Sequence, residues 1–149
     1  MPPYRNVVVG TDGSETAERA VEHAAELAGA FGARLTIVTA YTPGKGLDPQ
    51  ELETAPEDVR WRLVDAGGAE DLAGHAKGVA KAAGVTDVQT RVAAGDPAAA
   101  LIDAAEDSLA DVIVVGSRGM TGASRFVLGS VPNKVSHHAP CDVLIVHTT

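Results

Sequence analysis

The chain reads as one α/β domain built on an open, mainly parallel sheet of five strands, with helices on both faces. Three observations predict this. Short β-branched runs such as Val7-Val8-Val9 and Val112-Ile113-Val114-Val115 recur along the 149 residues. Between them lie Ala-rich segments with apolar residues at helical spacing. Strands that alternate with helices need right-handed crossovers, and those make a parallel sheet.

The elements follow in order. Val7-Val8-Val9, bounded by Gly10, is a buried first strand. Ser14 caps a helix running to about Phe31, with Glu15 and Glu18 suited to its first turn. Ala17, Ala20, Val21, Ala24, Leu27, Ala28 and Phe31 make its apolar face. Leu35-Thr36-Ile37-Val38 is the second strand. Residues 41–56, with Pro43, Gly44, Gly46, Pro49 and Pro56, read as a loop. An Ala-rich helix is expected from Asp58 to Ala83, weakened by Gly67, Gly68 and Gly74. Residues 85–92 are the third strand. Asp96-Pro97 opens the next helix as cap and first-turn proline, with Leu101, Ile102, Ala105 and Leu109 as its stripe. Residues 111–115 are the fourth strand. A short helix runs from Ser130 to about His138 and stops before Pro140, and residues 142–146 are the fifth strand. No fixed-period repeat or linker divides residues 1–149.

Composition excludes several function classes. Hydrophobic residues make up 45% of the chain, enough for a packed core. Aromatic residues are only 3%, too few for a stacking platform. Twenty acidic residues against 12 basic ones give a formal net charge of −8, which argues against nucleic acid and anionic membrane surfaces as partners. The lone cysteine, Cys141, forms no internal disulfide. No secretory h-region precedes the first strand, and no apolar run approaches the ~20 residues of a membrane span. A cytoplasmic location is expected.

Two polar glycine turns carry the candidate chemistry. Gly10-Thr11-Asp12-Gly13 follows the first strand, and Gly116-Ser117-Arg118-Gly119 follows the fourth. In the order 3-2-1-4-5 these strands are neighbours where the order reverses, which is where open α/β sheets bind ligands. Gly129-Ser130 then leads into the short helix, whose start offers free N–H groups and the positive end of a dipole. Gly116 and Gly119 let backbone amides face a phosphate or ribose, Gly129 permits close approach, and Ser130 donates to phosphate oxygens. Arg118 and Arg125 suit bidentate phosphate recognition, with a solvated loop charge as the alternative. Gly122 reads as a hinge. Neither a Walker loop nor a dinucleotide fingerprint is present. His137, His138 and Cys141 do not read as a metal site, because adjacent helical histidines diverge. Nor do Ser130 and His137, about two helical turns apart, form a nucleophile–base pair.

The run GSRGMTGASRFVLGS has the form Gly-x2-Gly-x9-Gly-(Ser/Thr) and resembles the ATP-binding signature of the universal stress protein (UspA) superfamily. The start VVVGTDGSETAERAVEHA looks like that family's first strand and helix. The ending GSVPNKVSHHAPCDVLIVHTT is similar to its actinobacterial branch, some of whose members bind cyclic AMP. The resemblance covers essentially the whole chain and implies an adenine nucleotide α-hydrolase-like fold over residues 1–149. It implies ATP or cyclic AMP as ligand, with Mg possible alongside ATP. The implied nucleotide-binding residues are Gly10, Thr11, Asp12, Ala40, Val115, Gly116, Ser117, Arg118, Gly119, Gly129, Ser130 and Val131. Thr11 and the Ala40 backbone would flank the base, and Asp12 would accept from adenine or ribose donors. Val115 and Val131 would add backbone or apolar contacts. No residue is assigned as catalytic. The resemblance also implies a homodimer through the last strand, Val143–Val146, which is apolar on both faces although it sits at the sheet edge.

The expected role is a stress-response sensor or nucleotide-binding regulator. A second reading is slow ATP hydrolysis or self-phosphorylation on Ser117, Thr121, Ser124 or Ser130, for which no adjacent general base is evident. A third, a phospho-acceptor receiver, would need paired acids after the first strand, where only Asp12 stands.

Overall fold

The structure, a computed structural model, describes residues 4–41, 65–117 and 130–147. Five parallel strands form one sheet in the order β3-β2-β1-β4-β5. They are β1 (Asn6–Gly10), β2 (Arg34–Tyr41), β3 (Val88–Ala94), β4 (Val112–Gly116) and β5 (Asp142–Val146). The helices are α1 (Glu15–Phe31), α2 (Ala66–Ala82), α3 (Pro97–Ser108) and α4 (Ser130–His138).

The central strand explains the layering. Val7, Val8 and Val9 are all fully buried, so both faces of β1 must be covered. Val7 and Val9 point to one side, with Leu35, Ile37, Val112 and Val114, under the alanine faces of α1 and α2. Val8 points to the other, with Val38, Ile113 and Val115, under Ala98, Leu101, Ala104 and Ala105 of α3 and Val135 of α4. Period-two alternation on the strands divides the apolar residues between two cores. Small side chains let the helices lie close. In α2 the buried residues Ala69, Ala73, Ala76 and Ala80 form one stripe.

The expected starts of α1 and α3 hold in detail. Ser14 Oγ accepts from Ala17 N (3.2 Å), and Asp96 Oδ2 accepts from Ala99 N (3.1 Å) with Pro97 in the first turn. Two boundaries differ from expectation. The helix expected from Asp58 does not run unbroken, because Asp65 is extended (φ −90°, ψ 176°) and caps α2 by accepting from Gly68 N at 2.7 Å. A cap requires non-helical dihedrals, so a helix cannot pass through it. The third strand begins at Val88 rather than Val85. Gly84 takes φ +102°, and Val85 N donates back to Ala80 O (3.2 Å), which makes Val85 part of the closing turn of α2. The loop expected over residues 41–56 lies outside the described residues, apart from Tyr41, which ends β2. No helix among the described residues is long and apolar enough to cross a membrane.

Candidate functional site

A cleft opens at the C-terminal ends of β1, β2 and β4, where the strand order reverses. Gly10, Val38, Ala40, Val115 and Gly116 come from the strand ends. Thr11 and Asp12 belong to the turn after β1, and Ser14, Thr16 and Ala17 to the start of α1. Pro97 and Leu101 of α3 form one wall and Val131 and Pro132 of α4 another. Three helices therefore direct their N-terminal turns at the cleft, and such turns favour a negatively charged guest.

The turn after β1 is held by its own polar groups. Thr11 N donates to Val38 O (3.0 Å), which extends the β1–β2 ladder by one rung. Thr11 Oγ1 accepts from Gly13 N (3.1 Å), and Asp12 Oδ1 accepts from Ser14 N (2.9 Å). These are Asx- and ST-type turn bonds, and they fix the Asp12 carboxylate at the cleft. Gly13 takes φ +82°, a left-handed conformation that closes the turn. Gly10 lets Leu101 of the α3 wall pack close against β1, since a Cβ there would lie 3.2 Å from both of its methyls.

The structure brings seven of the sequence-predicted residues together: Gly10, Thr11, Asp12, Ala40, Val115, Gly116 and Val131 line one cleft. Ser130 occupies the first position of α4 and is exposed; it is not part of the lining. Ser117 also stands apart. It is buried, and its N–H donates to Val146 O at 2.7 Å, continuing the β4–β5 ladder. An amide that serves a neighbouring strand is already engaged and does not donate to a ligand. Arg118, Gly119, Gly122, Arg125 and Gly129 lie outside the described residues.

Sequence reasoning missed Ser14, Thr16, Ala17, Val38, Pro97, Leu101 and Pro132 as cleft residues. Leu101 and Val38 were legible only as core. Pro97 carried a usable signal, because it opens the helix after a strand C-terminus, the end that faces ligands in such sheets.

His137 and His138 are exposed, with ring centroids 6.4 Å apart and planes at 65°. Among the described residues no group of three His, Cys, Asp or Glu side chains is placed to hold a metal. Burial pushes the Cys141 thiol above its ordinary pKa, and the charges of Asp142 and Asp111 add to the shift. It is therefore kept as a thiol, as a small core residue would be.

A family model for the universal stress protein family matches residues 3–147. The chain is 40% identical to a universal stress protein of Mycobacterium tuberculosis (strain ATCC 25618 / H37Rv) over 149 residues, 100% of both chains. It resembles the crystal structure of a universal stress protein in complex with cAMP, with a TM-score of 0.74 and 38% identity over 98% of each chain. It also shares its fold with the universal stress protein of Archaeoglobus fulgidus in complex with dAMP. There the TM-score is 0.67 and the identity 23%, over 97% of this chain and 98% of that one. With its parallel sheet in 3-2-1-4-5 order and its cleft at the reversal point, and on a match spanning nearly every residue, this chain belongs to the universal stress protein family.

Proposed function

We propose that this protein binds an adenine nucleotide, cyclic AMP or ATP, in the cleft at the β1–β4 reversal, and acts as a nucleotide-responsive regulator of a cytoplasmic stress response. One observation carries the reading. The Gly10-Thr11-Asp12 turn and the Val115-Gly116 strand end, distant in sequence, meet in one cleft faced by three helix N-termini. The relative in complex with cAMP supports the ligand class. In this reading the apolar walls (Val38, Leu101, Val131 and Pro132) take the purine, and Asp12 accepts from base or ribose donors. The phosphate lies toward the start of α4. Asp12 is the one carboxylate in the lining among the described residues, so with ATP an accompanying Mg²⁺ would be held chiefly by the phosphates.

The role is binding rather than catalysis. Asp12 is committed to the turn through Ser14 N, which suits an orienting acceptor better than a general base. Phosphate release well above background, lost on replacing Gly116, would establish slow ATP hydrolysis instead. The same reading includes a homodimer through β5, whose edge is apolar on both faces.

Calorimetry with cyclic AMP and with ATP tests the proposal. At least one should give saturable binding, and Asp12→Ala should weaken it about tenfold or more, a loss of ~1.4 kcal/mol. No heat from either nucleotide ends the reading.

A further inference from the structure

We infer that the Asp96–Lys134 ion pair is a latch between the two walls of the cleft, making both side chains positioning residues for the ligand. The inference rests on the nucleotide-binding reading above. The Asp96 carboxylate divides its work. Oδ2 accepts from Ala99 N (3.1 Å) and caps α3, while Oδ1 faces Lys134 Nζ of α4 at 3.6 Å. Pro97, next to Asp96, and Leu101, one turn further, belong to one wall; Val131 and Pro132, just before Lys134, belong to the other. The pair thus ties the N-cap of α3 to the middle of α4, next to the residues of the second wall.

The physical case lies in how lightly α4 is held. It has nine residues, and only Pro132 and Val135 are buried; Pro132 itself lines the cleft. Val135 anchors the middle of the helix in the α3-side core. Lys134, the fifth of its nine residues, adds a polar cross-link to α3 next to that anchor, and Val131 and Pro132 line the cleft one turn earlier. Both partners are substantially exposed, with side chains 59% and 38% accessible, so the pair contributes little to folding. Its effect falls on where the α4 wall stands, and ligand contacts are sensitive to small displacements of such walls.

The test uses the full chain with Lys134→Gln, Asp96→Asn and Lys134→Arg. Asparagine caps a helix about as well as aspartate, so Asp96→Asn cuts the latch and keeps α3. A latch predicts that Lys134→Gln and Asp96→Asn each weaken binding of cyclic AMP or ATP by about two- to fivefold, the scale of an exposed ion pair. Lys134→Arg should stay close to wild type. Simple field effects predict the opposite sign for one variant. Removing the Asp96 charge would then tighten an anionic ligand while removing Lys134 loosens it. Asp96→Asn binding as tightly as wild type, or more tightly, overturns the latch. Hydrogen exchange without nucleotide provides an independent measurement. The amides of residues 131 and 133–138 should exchange faster in both Lys134→Gln and Asp96→Asn, with those of β1 unchanged. Wild-type rates at α4 in either variant also overturn it. If the wild-type protein binds neither nucleotide, the functional reading fails by itself and the exchange result alone decides the latch.

Discussion

Gly13 shows how much one backbone conformation carries here. It holds φ +82° between Asp12 and Ser14, and a Cβ at that position would run into the Leu72 side chain of α2. Gly13→Ala should therefore cost about 1–2 kcal/mol from the left-handed backbone alone, more with the clash, and should weaken nucleotide binding by displacing Asp12. Urea denaturation and calorimetry check both parts, and an unchanged midpoint refutes the strain argument. Thr39 is the reverse case. It is 1% exposed, and among the described residues its hydroxyl has no hydrogen-bond partner. A buried hydroxyl without a partner keeps its desolvation cost and gains nothing, so Thr39→Val, which preserves shape, should leave stability unchanged or raise it by up to ~1 kcal/mol. A lower denaturation midpoint would mean that the hydroxyl is satisfied in solution. Sequence shows Gly13 as a turn glycine, but it does not show which side chain crowds it. Nor does it show that Thr39 meets no partner among the described residues, since both facts depend on residues distant along the chain.

At the scale of elements, the start of β1 is held by a residue from the far side of the chain. Asp111 Oδ2 accepts from both Arg5 N (2.7 Å) and Asn6 N (2.9 Å), and Asp111 N donates to Asn6 O (2.8 Å). The carboxylate thus fastens the turn before β4 to the strand beside it. Asp111→Ala should cost about 1.5–3 kcal/mol, the range for hydrogen bonds to a charged group, while Asp111→Asn should recover part of the loss. Equal stability of wild type and Asp111→Ala in urea would contradict this role. The same elements show where local signals suffice. Ser14 and Asp96-Pro97 announced their helices because capping is a matter of a few adjacent residues. Asp65 was missed because the helical spacing of apolar residues runs past it, and only its extended backbone and its bond from Gly68 N mark it as a cap. Val85 looked like a strand residue because it is β-branched, yet the left-handed Gly84 folds it onto the end of α2. Ser117 resembled its glycine neighbours in the motif, and only the β4–β5 ladder reveals that its amide is already used.

For the whole molecule, the two sheet edges differ in kind. The β3 edge is polar. Gln89 and Thr90 are exposed, and Arg91 Nη1 is bound to Asp107 Oδ2 at 2.7 Å. Such an edge discourages pairing. The β5 edge instead exposes Leu144 (41%) and Ile145 (36%), which as neighbours on a strand face opposite sides of the sheet. Edge-to-edge pairing of two copies would cover both. Light scattering should give the mass of a dimer for the wild-type chain and of a monomer for Leu144→Lys/Ile145→Lys, with Thr90→Lys left dimeric. A monomeric wild-type protein refutes the pairing. Sequence alone determined the class of the fold, the succession of the elements and the glycine turn after β1, because periodicity, caps and turn residues act over a few neighbours. Tertiary structure alone decided which wall residues complete the cleft, that the Ser117 amide is spent on β5, and that Asp96 meets Lys134. Those outcomes depend on how crossovers stack helices against the sheet, and no local pattern encodes the distance between two walls built from separate helices.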